Sequence, residues 1–173
     1  ETIPFLQAVF RADALAWGSP HDFFIVEENA KPIGGASGFV MDTHDYRPLR
    51  LERLPAVAQE LGWDDEKMAQ FKQGYEAVWS DPHDPTIAPT APYIIECVAV
   101  VPEARGRGVG KFLISSILEA AKARGFSSAG ISVTIGNAPA QRVYEETGFE
   151  LYMMYGAAYF NGEFPGTIKY RAS

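Results

Sequence analysis

The sequence predicts a mixed α/β domain, and three observations carry that prediction. Short apolar runs of strand type alternate with segments of helical periodicity along the chain. Two apolar runs flank the turn Asn29-Ala30-Lys31-Pro32 near the start. A glycine-rich loop, Arg105-Gly106-Arg107-Gly108-Val109-Gly110, joins an apolar run to an amphipathic segment.

Taken in order, residues Pro4 to Trp17 carry Phe5, Val9, Ala12, Leu15 and Ala16 at helical spacing, and Gly18-Ser19-Pro20 ends the segment. Asp22 to Glu28 reads as a strand. The turn at 29–32 returns the chain into a second strand, Ile33 to Met41, which its glycines weaken. Two helices are predicted in the next fifty residues. One repeats Leu54, Val57, Ala58 and Leu61 on one face. The other repeats Met68, Phe71, Tyr75, Val78 and Trp79, with Asp64 as its cap. Four prolines between Ser80 and Pro92 specify a loop.

The second half is sharper. Tyr93 to Val101 is an apolar run of buried-strand type. After the glycine loop, Lys111 to Arg124 reads as a helix with Phe112, Leu113, Ile117, Leu118 and Ala121 inward, stopped by Gly125. Ala129 to Ile135 is a strand. Asn137 caps a helix that begins near Pro139 and ends at Gly148. Phe149 to Met154 and Thr167 to Arg171 supply the last two strands.

Composition bounds what such a domain does. The 173 residues fit one domain, are 47% hydrophobic and 21% charged, and so are able to bury a core. No apolar stretch approaches the length of a membrane span, and no signal peptide is visible. The chain begins with Glu1 rather than Met, which leaves a trimmed start or a lost leader open. A formal net charge of −7 argues against nucleic-acid partners and leans towards cationic or amine-bearing small molecules, although it also serves solubility. One cysteine, Cys97, cannot form an intrachain disulfide, which suits a reducing, cytoplasmic setting, and its apolar surroundings read as core rather than as a nucleophile's. His21, His44 and His83 have no metal-ligand spacing and are expected in loops or on the surface, so no metal is predicted.

The glycine loop is the strongest chemical signal. A helix start leaves backbone N–H groups without partners and carries partial positive charge, and glycines let an anion approach. Arg105, Arg107 and Lys111 add cationic donors. The site suits a pyrophosphate. It is not a Walker loop, because Phe112 follows Lys111 where Ser or Thr is needed. Nor is it a dinucleotide fingerprint, because the glycines are spaced 106, 108 and 110. A nucleotide-phosphate enzyme is therefore a weaker reading.

The run Val98-Ala-Val-Val-Pro-Glu-Ala-Arg-Gly-Arg-Gly-Val-Gly110, with Arg105, Gly108 and Gly110 in register, resembles the central motif of the GNAT superfamily of N-acetyltransferases. The segment Asn137-Ala-Pro-Ala-Gln-Arg-Val-Tyr144-Glu-Glu-Thr-Gly148-Phe149 resembles that family's next motif. The resemblance implies the GNAT-type fold, a central, mostly antiparallel sheet flanked by helices. It also implies direct attack of a primary amine, from a small molecule or a peptide, on acetyl-CoA. By the same resemblance the pyrophosphate would sit on residues 105–110, and the pantetheine arm would run along Val98, Ala99 and Val100. The Val98 amide would polarise the thioester, Asn137 would contact the arm, and Tyr144 would be the general acid.

Glu96 is a carboxylate inside an apolar strand, where an unpaired charge is expensive. Alternation puts it on the side of Val98 and Val100. The resemblance makes it a candidate base; a structural Glu in an ion pair is the competing role. A non-catalytic acyl-CoA-binding module on the same fold is the alternative function. Dimers are common among similar proteins, and no residue here requires one.

Two departures from the family pattern stand out. Only about 20 residues precede the first hairpin, so the family's first strand is not evident. The helical stretch at about 45–92 is longer than usual, and Trp63, Phe71, Tyr75 and Trp79 in it would either line an acceptor pocket or pack the insertion onto the domain.

Overall fold

The computed structural model describes residues 2–41 and 46–173, so His44 lies outside the described residues. The chain opens with helix α1 (Thr2–Arg11), then the hairpin β1 (Phe23–Glu28) and β2 (Lys31–Phe39). Helices α2 (Leu54–Leu61) and α3 (Asp65–Val78) follow. The second half runs β3 (Tyr93–Val100), α4 (Val109–Ala123), β4 (Ala129–Thr134), α5 (Ala138–Glu146), β5 (Glu150–Gly156) and β6 (Gly166–Ala172).

The described strands form one sheet in the order β1-β2-β3-β4-β6-β5. Every neighbouring pair is antiparallel except β3 and β4, which α4 connects as a crossover. The mixed α/β, mostly antiparallel architecture is the one expected. In the hairpin turn, Asn29 (φ 52°) and Ala30 (φ 60°) are both left-handed, the geometry that matches strand twist in a two-residue turn.

The main core lies between one sheet face and α4 with α5. It is built from Tyr93 and Ile95 of β3, Ile131 of β4, Tyr170 of β6, and Leu113, Ile114 and Ile117 of α4. Tyr93 donates its hydroxyl to Gly38 O at 2.7 Å, which satisfies a fully buried phenol. A smaller cluster, Ala8, Val9, Ala14 and Val57, joins α1 to α2.

Several expectations shift. The first helix stops at Arg11, because Asp13 turns left-handed (φ 50°) while Ala14 N–H donates back to Val9 O at 2.9 Å. Leu15 then forms a β-bridge with Leu49 instead of continuing a helix to Trp17. Helix α4 starts at Val109, two residues before the expected start, and its phase leaves Phe112 outside the core at 63% exposure. Asp64 caps α3 as predicted, accepting from Lys67 N–H at 2.8 Å. Cys97 is exposed rather than in the core, for a reason that belongs to the site.

Candidate active site

Strands β3 and β4 pair only at Tyr93↔Ala129, Ile94↔Gly130 and Ile95↔Ile131. Beyond Ile95 the two strands part, while β2 continues to pair with β3 as far as Val100. The β4-facing edge of Glu96 to Val100 is thereby left for another extended chain to pair with. Along it runs a groove of about 780 Å³, lined by Val98, Ala99 and Val100, by residues 104–106 and 108–111, and by Asn137 and Tyr144. All the sequence-predicted cofactor residues except Arg107 thus line one space. Pro139, Ala140, Arg142, Val143 and Glu146 of α5 complete the wall. Sequence reasoning passed over them because nothing in their identity marks chemistry.

At one end of the groove the chain turns into α4. Gly106 (φ 72°) and Gly108 (φ 82°) are left-handed, and a Cβ at either would meet nothing within 4 Å. Within the protein itself their requirement is conformational rather than steric. None of the backbone N–H groups from Gly106 to Lys111 has a protein acceptor among the described residues; the first amide bonded back is that of Phe112, to Gly108 O at 2.9 Å. The side-chain cations are engaged. Arg105 Nε donates to Val100 O at 3.1 Å, bracing the loop. Arg107 pairs with Glu28 of β1, and that hydrogen bond holds the Glu28 carboxyl below its ordinary range. Lys111 Nζ lies 3.5 Å from Glu146. These last two pairs are exposed, so they are weak and an incoming anion can displace them.

Deeper in the groove is Tyr144 of α5, 5% exposed and packed edge-on against Tyr170 at 6.0 Å. Burial, with the charge of Glu96 second, pushes its phenol up to about 12. The hydroxyls of Tyr93 and Tyr170 reach protein acceptors, whereas that of Tyr144 has none among the described residues. Asn137 caps α5, accepting from Ala140 N–H at 3.3 Å, while still lining the groove.

Glu96 does not stand beside Val98 and Val100. Between Gly35 and Ser37 of β2, the facing strand advances from Ala99 to Glu96, three residues against two, so β3 bulges. Cys97, the extra residue, is left-handed (φ 58°) and exposed, and the alternation slips by one. Val98 packs against the main core and Val100 lines the groove, while Glu96 joins Ile94 in a second pocket. Desolvation raises its carboxyl to about 7, against the opposing pull of Lys169.

This second pocket, about 330 Å³, is floored by Ile94, Glu96, Ser132 and Lys169 and walled by Trp17, Trp79, Phe160 and Phe164. Of the four insertion aromatics only Trp79 reaches it. Trp63, Phe71 and Tyr75 stack in a row beginning at Phe5 of α1 and pack the insertion onto the domain. Lys169 of β6, 4% exposed, donates to Pro85 O at 3.2 Å and Ala88 O at 2.5 Å and so ties the proline loop to the sheet. Sequence reasoning missed it; the available signal was a lysine between Ile168 and Tyr170 in an apolar strand. His21 and His83 are exposed, and among the described residues no cluster of metal-ligating side chains occurs.

A parallel strand pair that splays open, with a run of unbonded amides at one end and a buried phenol within, gives a mixed α/β domain a groove suited to an extended, anionic ligand. The sequence model of the acetyltransferase (GNAT) family matches residues 2–149, and the chain belongs to that family of acyltransferases. No curated protein sequence matches it. Among solved structures, one described as an acetyltransferase is similar at TM-score 0.56 and 17% identity, over 99% of this chain and 79% of its own. Ard1 from Thermoplasma volcanium is similar at TM-score 0.53 and 15% identity, over 88% and 70%. A Bacillus anthracis protein solved with acetyl coenzyme A is similar at TM-score 0.52 and 15% identity; the match covers 87% of this chain and 60% of that one. At these identities the likeness is one of fold.

Proposed function

We propose that the protein is a single-domain N-acetyltransferase, with a helical insertion at about 45–92, that moves an acetyl group from acetyl-CoA to a primary amine. The observation that carries this reading is the groove itself. Unbonded amides from Gly106 to Lys111 at one end suit a pyrophosphate, and the open β3 edge suits a pantetheine arm with peptide-like amides. The thioester would then lie near Val98 and Tyr144. No helix among the described residues is long and apolar enough to cross a membrane, and a cytoplasmic setting fits the single cysteine.

The chemistry follows from the two faces. The bulge turns Glu96 away from the groove into the second pocket, and Glu96 still feels Tyr144 electrostatically. An ammonium in that pocket gives one proton to Glu96, directly or through water, and becomes the neutral amine. Its nitrogen attacks the thioester carbon through the gap between β3 and β4. A C–N bond forms, the Val98 N–H stabilises the oxyanion, and the C–S bond then breaks. The thiolate takes its proton from Tyr144, whose raised pKa keeps it protonated at neutral pH, and the second proton of the nascent amide nitrogen returns through water to the Tyr144 phenolate.

Acetyl-CoA binding is tested by thermal shift at millimolar ligand. Transfer is tested by CoA release on adding amines. A shift with no release for any of a broad amine panel favours the non-catalytic acyl-CoA-binding module; no shift at all overturns both readings.

A further inference from the structure

The pocket on the Glu96 face carries information about the acceptor that the overall charge does not. Its walls come from four separate stretches of chain: Trp17 after α1, Trp79 at the end of α3, Ile87 and Pro89 from the proline loop, and Phe160 and Phe164 between β5 and β6. Trp17 meets Trp79 edge to face at 5.3 Å, and Phe160 meets Phe164 in the same manner at 5.0 Å. Trp17 Nε1 is satisfied by Tyr46 O at 3.1 Å, so its ring is presented as an apolar surface. At about 330 Å³ the space sits near the lower end of the ~300–1,000 Å³ usual for small-molecule sites.

The charges are as few as the rings are many. Among the described residues only Glu96 and Lys169 line the pocket with a formal charge. The Lys169 ammonium is committed to the carbonyls of Pro85 and Ala88. Glu96 is the single carboxylate facing the space, and it is needed for the attacking amine. A second ammonium on the acceptor would meet a buried lysine and, among the described residues, no further lining carboxylate to pair with it; the ring faces alone would have to offset its desolvation.

We infer that this pocket selects a primary monoamine carried on an apolar body of aromatic size, and rejects acceptors bearing a second cationic group. The inference rests on the acetyl-transfer reading for its chemistry but on the pocket walls for its selectivity.

The test uses the full chain with acetyl-CoA and four probes: 2-phenylethylamine, tryptamine, ethylamine and spermidine. Release of CoA is followed with a thiol reagent. The expected result is a kcat/KM for one of the two aryl amines at least about tenfold above that for both ethylamine and spermidine. In a Phe164→Ala variant the KM for that aryl amine rises at least about threefold, while the thermal shift with acetyl-CoA is retained. Spermidine or ethylamine turned over as well as the aryl amines overturns the inference and leaves acetyl transfer standing. If no probe is acetylated, tryptophan fluorescence decides, through titration of 2-phenylethylamine at saturating CoA. Saturable quenching that Phe164→Ala weakens supports the pocket and counts against transfer; absence of saturable quenching overturns the pocket.

Discussion

Glu96 and Val98 lie two positions apart on one strand yet face opposite sides of the sheet, because Cys97 between them adopts a left-handed bulge. That phase slip lets one strand serve two spaces. Val98 and Val100 line the groove beside α5, and Glu96 reaches the pocket walled by aromatic rings. We propose that the two spaces join where β3 and β4 separate, beyond Ile95 and Ile131.

Glu96→Gln removes the proposed base. We expect kcat to fall by about 10²–10⁴-fold, the usual range for a general base. In the parent protein kcat/KM should rise through pH about 7 as the carboxylate forms, and the variant should lose that limb. A variant that keeps both rate and profile removes Glu96 from the chemistry.

The same carboxyl makes a stability prediction. Its folded pKa, about 7, is raised by desolvation above the unfolded 4.5, so the folded state binds the proton more tightly. The stabilisation is complete below pH 4.5 and is lost as pH rises through 7. Relative to the parent, Glu96→Gln should therefore gain stability between pH 4.5 and 8, by at most about 3 kcal/mol. Urea unfolding of both proteins at the two pH values checks the sign.

Tyr144→Phe keeps the ring that packs on Tyr170 and removes only the hydroxyl. Since that hydroxyl has no protein partner among the described residues, folding stability should change little. Turnover should fall about 10²-fold or more, with acetyl-CoA affinity retained. Unaltered turnover of an identified acceptor would show that the ring only packs.

Lys169→Met separates positioning from catalysis. Lys169 both ties the Pro85–Ala88 loop down and pulls the Glu96 pKa lower. Its loss should move the acid limb of kcat/KM to higher pH and raise the KM for the acceptor, leaving acetyl-CoA affinity intact. An unshifted limb would mean that Lys169 acts on the loop alone.

Gly108→Ala puts a Cβ where no protein atom lies within 4 Å, so the cost to the unliganded fold comes from the backbone. Holding Ala at φ 82° costs about 1–2 kcal/mol, which should appear as lost stability, as weaker acetyl-CoA binding, or as both. Gly110→Ala, at an ordinary φ with only van der Waals contacts at 3.9 Å, should be better tolerated in the absence of ligand.

Much of this protein was determined locally, and such features were legible in the chain. The Asp64 and Asn137 caps, the glycine-rich loop that opens α4 and the spacing from Asn137 to Tyr144 depend on neighbours within a turn or two. So does the inward face of α4 at Leu113, Ile117 and Ala121, whereas Phe112, beside Leu113 at the edge of that face, turns outward. What lay beyond reach was set by partners far along the chain. The bulge at Cys97 exists because β3 must keep register with β2, some sixty residues earlier, and alternation carries no mark of that slip. Trp17, Trp79, Phe160 and Phe164 form one wall only because three distant segments fold onto the same sheet face. Lys169 finds the carbonyls of Pro85 and Ala88 across more than eighty residues. Caps and turns are specified by short-range hydrogen bonds and sterics, whereas the facing of a strand and the walls of a pocket depend on long-range pairing that only the assembled sheet supplies.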